Sequence, residues 1–143
     1  MKCGEGANIY GAVGCGSNGF AIFPDFATGF KGVIRLLTDP YAQTYVKGVG
    51  PRPFLYLTIA QAVNQWCPLI DAQNPKGCTA AEQAARRDKV QRALYYLDIN
   101  TTYVYNLDAA QLDTMAWALY DIERGGMPDG EVQWRYAPNC ALA

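Results

Sequence analysis

The stretch KCGEGANIYG, Lys2 to Gly11, sets Glu5 between two glycines in a chain of 143 residues that contains no histidine. Without histidine there is no Ser-His-Asp or Cys-His nucleophile and no HExxH metal site. Carboxylate chemistry remains, and its best-known form is glycoside hydrolysis. There a protonated Asp or Glu gives its proton to the leaving oxygen, while a second carboxylate or a held water completes the substitution. Such an acid needs a raised pKa, hence a partly desolvated place beside apolar walls. Glu5 has Ile9 and Tyr10 close by in sequence and is the candidate general acid. Tyr10 is placed to line a cleft, and Ser17, Asn18 and Asp25 are candidates to orient water or sugar. The alternative acid is Glu123 in DIERGG, in the last turn of a helix where a negative charge opposes the dipole.

Rigid placement of such groups points to the five cysteines. Cys3 and Cys15 bracket a glycine-rich region, and Cys67 and Cys78 bracket PLIDAQNPKG. Each pair would close a loop of about a dozen residues, worth about 3 kcal/mol on the loop-entropy model. Two local disulfides are expected, with Cys140 left over or exchanged into one of them. No CxxC is present, so the expectation for metal is none, and no cofactor motif stands in its place. Bridged cysteines imply an oxidising compartment, a periplasm or the cell exterior.

The charges, 12 basic and 13 acidic, give a net charge of -1 with no dense Lys/Arg window, which argues against nucleic acid. No apolar run reaches the roughly 18 to 20 residues of a membrane helix, so no membrane insertion is expected. Half the residues are apolar and 13% aromatic, enough for a packed core. The length suits a single domain over 1–143, whole or part of a longer protein.

Residues 3 to 19 hold six glycines and read as turns with a short hairpin, and Gly19 to Phe23 reads as a strand. Asp25 is also a good N-cap for a helix ending near Thr38, in which Phe26, Phe30, Val33, Ile34 and Leu37 recur at helical spacing. A short helical or extended piece is expected from Tyr41 to Val46, followed by a loop, GVGPRPF. Thr58 caps a helix stopping at Cys67-Pro68, and Thr79 with Glu82 forms a capping box opening a helix to about Leu97. A last helix is expected from Leu107 to Arg124, with Leu112, Met115, Ala116 and Leu119 on one face and Gly125 as C-cap. Trp66, Trp117, Tyr95 and Tyr96 fall at helical spacing and are expected in the core. Tyr10, Phe20 and Trp134, outside the strong helices, are the better candidates for stacking on a sugar. The fold class is α+β and mainly helical, with a small N-terminal β/turn region and four to five helices.

The order of ANIYG, GFAIFPDFATGFKGVIRLLTDPY, TIAQAVNQWCPLIDAQNP and LDAAQLDTMAWALYDIERGG, within residues 5 to 126, resembles phage virion-associated and bacterial lysozyme-like proteins. These tend to show an Asn-Pro-Gly-Asn-Ile turn, a Phe-x-x-Phe stretch leading into a glycine-containing helix, a Thr-Ile helix ending in Trp-Ala-Pro and a late helix ending in Glu-x-Gly. The resemblance implies a lysozyme-like fold and a muramidase cutting the bond between N-acetylmuramic acid and N-acetylglucosamine. It places Glu5-Gly6 at the Glu-Gly pair that carries the acid. The implied partner is the peptidoglycan glycan strand, met by a chain that is secreted, delivered to the periplasm, or part of a larger effector or virion assembly. A lytic transglycosylase is the close variant. A non-catalytic cell-wall-binding or virion structural domain, or a secreted disulfide-stabilised module for a protein partner, stays open beside it.

Overall fold

The structure, a computed structural model, describes residues 14–15, 21–22, 26–42 and 44–124. Over these residues the chain is α+β and mostly helical, with four α-helices and two small antiparallel hairpins. It divides into two compact units, residues 1–36 with 116–143, and residues 37–115, the boundaries falling inside the first and last helices.

In the first unit β1 (Gly14–Cys15) pairs antiparallel with β2 (Ala21–Ile22), Gly14 opposite Ile22. The strand expected at 19–23 is thus two residues long among the described positions, and it closes a hairpin. Helix α1 (Phe26–Thr38) follows and buries Val33. Its Phe30 ring meets Trp117 of α4 (Ala109–Arg124) at 5.5 Å with a tilted geometry, and Ala116, Ala118 and Leu119 are buried in this unit. Trp117 itself is half-exposed, so the expectation that it is a core residue is corrected. Its indole meets Phe30 at a tilted angle and stays half-exposed, an arrangement open to amphipathic rings.

The second unit begins with an element that the sequence pattern concealed. The expected loop at GVGPRPF contains β4 (Gly50–Arg52), paired with β3 (Thr44–Val46) so that Tyr45 lies opposite Pro51. Two glycines with positive φ, Gly48 at 82° and Gly50 at 100°, turn the chain, and Val49 N–H donates to the Val46 carbonyl at 2.9 Å. A proline fits here because a two-stranded ladder asks for partners on one side only. The piece from 41 to 46 resolves as extended, not helical, at its C-terminal end. A 3-10 turn (Phe54–Tyr56) leads from β4 into helix α2 (Ile59–Trp66).

Helix α2 opens on a full capping box: Thr58 Oγ1 accepts from Gln61 N–H and Gln61 Oε1 accepts from Thr58 N–H. Helix α3 (Ala80–Ala93) repeats the device with Thr79 and Glu82, as the TAAE spacing predicts. It stops at Ala93, short of the expected Leu97. The cause is Gln91, whose amide nitrogen donates to the carbonyls of Leu94 and Leu97 while its Oε1 accepts from Ile99 N–H. A side chain that serves three backbone groups beyond the helix end stabilises a turn in place of another helical turn. Leu94 and Ile99 are buried beneath that turn, whereas Tyr95 and Tyr96 project from it, Tyr95 at 81% exposure. The two tyrosines expected in the core are therefore on the surface. Helix α4 starts at Ala109, with Asp108 and Gln111 capping each other's backbone N–H groups at 2.8 and 2.9 Å. Its Met115 is buried in this unit, as the spacing predicts. The core of the second unit is Leu37, Leu57, Ile59, Val63, Trp66, Val90, Leu94 and Val104, with Phe54 edge-on to Trp66 at 5.7 Å.

The Thr79 backbone N–H, helped by its hydroxyl, holds the Glu82 carboxyl below its ordinary 4.5. A carboxyl whose folded pKa is depressed adds stability that is present above its unfolded pKa and lost as pH falls through the folded one. Side-chain titration of Glu82 by NMR is expected to show an inflection below 4.5, with protection of the first α3 amides falling in the same window. An inflection at or above the ordinary value would contradict the box as a charged cap.

Candidate functional site

Of the residues singled out for chemistry, Glu5, Tyr10, Ser17, Asn18 and Asp25 lie outside the described residues, as do Cys3, Cys140, Phe20, Trp134 and the cap Gly125. Cys15 is described as backbone in β1, and Glu123 as backbone in the last turn of α4. The structure therefore neither gathers nor separates the proposed acid and its helpers. Among the described residues no three His, Cys, Asp or Glu side chains come together as a metal site, and no helix is long and apolar enough to cross a membrane.

Cys67 and Cys78 are joined in a disulfide, with Cα atoms 5.6 Å apart. The bridge links the C-cap of α2 to the residue before the N-cap of α3. Backbone bonds reinforce it: Cys78 N–H donates to the Pro68 carbonyl at 2.8 Å, and Ile70 N–H to the Cys78 carbonyl at 3.1 Å. At Gly77 a Cβ would lie 2.2 Å from the Pro68 carbonyl oxygen, so only glycine passes there without a shift of backbone. The loop tip is an Asx turn in which Asp71 Oδ1 accepts from the backbone N–H of Gln73 and Asn74, each at 2.8 Å. The Asn74 N–H is the leading reason that the Asp71 carboxyl is held below its ordinary value. Behind the bridge, buried Gln83 donates to the carbonyls of Asn64 at 3.2 Å and Cys67 at 2.8 Å, satisfying the exposed end of α2. Arg87 Nη1 donates to Asn64 Oδ1 at 2.6 Å.

The other feature of this unit is aromatic. Seven tyrosines have described side chains, Tyr41, Tyr45, Tyr56, Tyr95, Tyr96, Tyr103 and Tyr105, and all are exposed, from 39% to 88%. Three of them come together where two backbone segments meet. Ile59 N–H donates to the Thr102 carbonyl and Val104 N–H to the Leu57 carbonyl, both at 2.9 Å, with an antiparallel bridge between Thr58 and Tyr103. Each segment adjoins a 3-10 turn, Phe54–Tyr56 on one side and Val104–Asn106 on the other. Phe54, Leu57, Val104 and Leu107 point inward and are buried, which leaves Tyr56, Tyr103 and Tyr105 on the outside. Tyr103 and Tyr105 stack with ring centroids 5.4 Å apart and planes 20° from parallel, and Tyr56 stands 6.2 Å from Tyr105 at 59°.

Neither 53–58 nor 101–107 contains a charged residue; threonine, asparagine and tyrosine supply the polar atoms. The surface thus presents ring faces, which are electron-rich, and phenol hydroxyls, which both donate and accept. The alternation Tyr103-Val104-Tyr105, outward-inward-outward, is a signal legible in the sequence that points to this surface. Comparison with protein-family models, curated proteins and solved structures finds no match to this chain.

Proposed function

We propose that this chain acts on the glycan strands of peptidoglycan. The observation that carries the proposal is that all seven tyrosines with described side chains are exposed. Tyrosine combines an apolar face with a polar tip at low entropic cost, which suits it to ligands that are themselves apolar on one face and hydroxylated at the edge, as sugars are. The net charge of -1 fits a polysaccharide better than a nucleic acid, whose strand needs a basic track. A disulfide-stapled loop supports work in an oxidising compartment, outside the cell or in the periplasm.

Cleavage by a muramidase mechanism extends the proposal. Glu5 is its general acid, giving a proton to the glycosidic oxygen between N-acetylmuramic acid and N-acetylglucosamine. Support comes from the histidine-free composition, from the Glu5-Gly6 pair and from the lysozyme-like order of segments. A mostly helical α+β chain with a hairpin ahead of its first helix is compatible with that family. The non-catalytic reading, cell-wall binding without turnover, is favoured by the same tyrosines, since binding asks nothing of Glu5.

Incubation of the purified chain with cell-wall sacculi tests the proposal. Co-sedimentation with sacculi is expected, with release of reducing ends; products heavier by one water indicate hydrolysis, whereas anhydro ends indicate a transglycosylase. Binding without products leaves the wall-binding reading. A chain that stays in the supernatant and releases nothing would refute all of them.

A further inference from the structure

We propose that Tyr56, Tyr103 and Tyr105 form a saccharide-stacking subsite, a docking platform for neutral β-linked amino sugars built on the two 3-10 turns. The inference rests on the glycan reading above and adds the place at which the strand is held.

The platform is preorganised. Its three rings stand on backbone held by two cross-segment hydrogen bonds of 2.9 Å and on four turn bonds: Tyr56 to Pro53, Leu57 to Phe54, Asn106 to Tyr103 and Leu107 to Val104, all between 3.0 and 3.1 Å. Anchors on both sides of each turn are buried. Little conformational freedom is therefore left to lose on binding. A contiguous exposed aromatic patch is also unlike the scattered single apolar residues that any surface carries, and it calls for a ligand.

Ring geometry narrows the ligand. Tyr103 and Tyr105 cover one face of each other, which leaves outer faces and edges, and Tyr56 adds a third plane turned by 59°. Such a stepped surface suits successive sugar rings of a strand, whose C–H bonds carry slight positive charge toward an electron-rich ring face. The absence of charged residues in 53–58 and 101–107 removes the attraction a phosphodiester strand or an acidic peptide would need. Asn106 follows Tyr105 in sequence and Thr101 lies two residues before Tyr103; both are exposed and carry side chains able to bond N-acetyl and hydroxyl groups.

Titration of the full chain with a soluble β-1,4-linked N-acetylglucosamine oligomer, followed by NMR shifts of the tyrosine rings and by calorimetry, tests the platform. Tyr56→Ala and Tyr105→Ala are each expected to weaken binding about three- to tenfold, the range of one lost aromatic contact. Tyr105→Trp should keep the affinity, because it keeps a ring face. The double variant Asp88→Ala, Arg92→Ala, which removes an exposed ion pair on α3, should bind as the native chain does. Exposed side chains are being removed, so thermal unfolding should be unmoved, which separates lost binding from lost fold. If oligomer or sacculi are bound equally well by the Tyr56 and Tyr105 alanine variants, the platform is overturned while the glycan reading stands. If neither oligomer nor sacculi bind the native chain, the glycan reading falls, and the platform with it.

Discussion

Replacing Cys67 and Cys78 together by alanine is expected to lower the stability of the chain by about 3 kcal/mol, seen as a lower urea midpoint. The bridge spans a sequence separation of 11, and cross-linking ends that far apart removes loop-closure entropy from the unfolded chain. Native loop structure should survive the change. The backbone N–H of position 78 still donates to the Pro68 carbonyl, Ile70 N–H still donates to the carbonyl of position 78, and Gln83 still clamps the backbone carbonyls of Asn64 and position 67 at the end of α2. The loss therefore acts chiefly through the unfolded state, and the native spectrum should stay close to that of the parent. A reductant should abolish the difference in midpoint between the parent and the alanine variant. An unmoved midpoint would mean that backbone bonds and Gln83 already restrict the loop in the unfolded chain.

The parts of this molecule that were legible in the sequence are those decided within a few residues. The Thr79–Glu82 box, the Thr58 cap and the burial of Met115, Ala116 and Leu119 follow from spacing of three and four, because capping and amphipathic burial are local. The Cys67–Cys78 pair was legible for the same reason. What spacing does not report is a side chain serving backbone beyond its own helix. Gln91 takes the carbonyls of Leu94 and Leu97 and the N–H of Ile99, and thereby ends α3 and turns Tyr95 and Tyr96 outward. Tyrosine is the residue most open to this error, since it satisfies a helical hydrophobic pattern and also tolerates water. The hairpin at Pro51 was concealed because proline marks loops in general, and only the positive φ values of Gly48 and Gly50 allow the return strand. The candidate acid Glu5 is singled out by residue type, through the chemistry that a histidine-free chain can run.

Glu5→Gln is expected to lower the release of reducing ends by about a hundred- to ten-thousandfold, the scale of one general acid. Glutamine keeps the shape and hydrogen-bonding reach of the side chain but has no acidic proton to give to the leaving oxygen. Sedimentation with sacculi should persist in this variant, because the tyrosines proposed to hold the strand are untouched, and thermal unfolding should be little changed. The converse variant, Tyr105→Ala, should weaken retention while leaving the acid in place. If holding and cutting are separate steps, the double variant should show the two losses together, each near its single-variant size. Full turnover in Glu5→Gln with loss in Glu123→Gln would move the acid to the end of α4. Full turnover in both would remove carboxylate catalysis at either position, since no histidine exists to take over the proton.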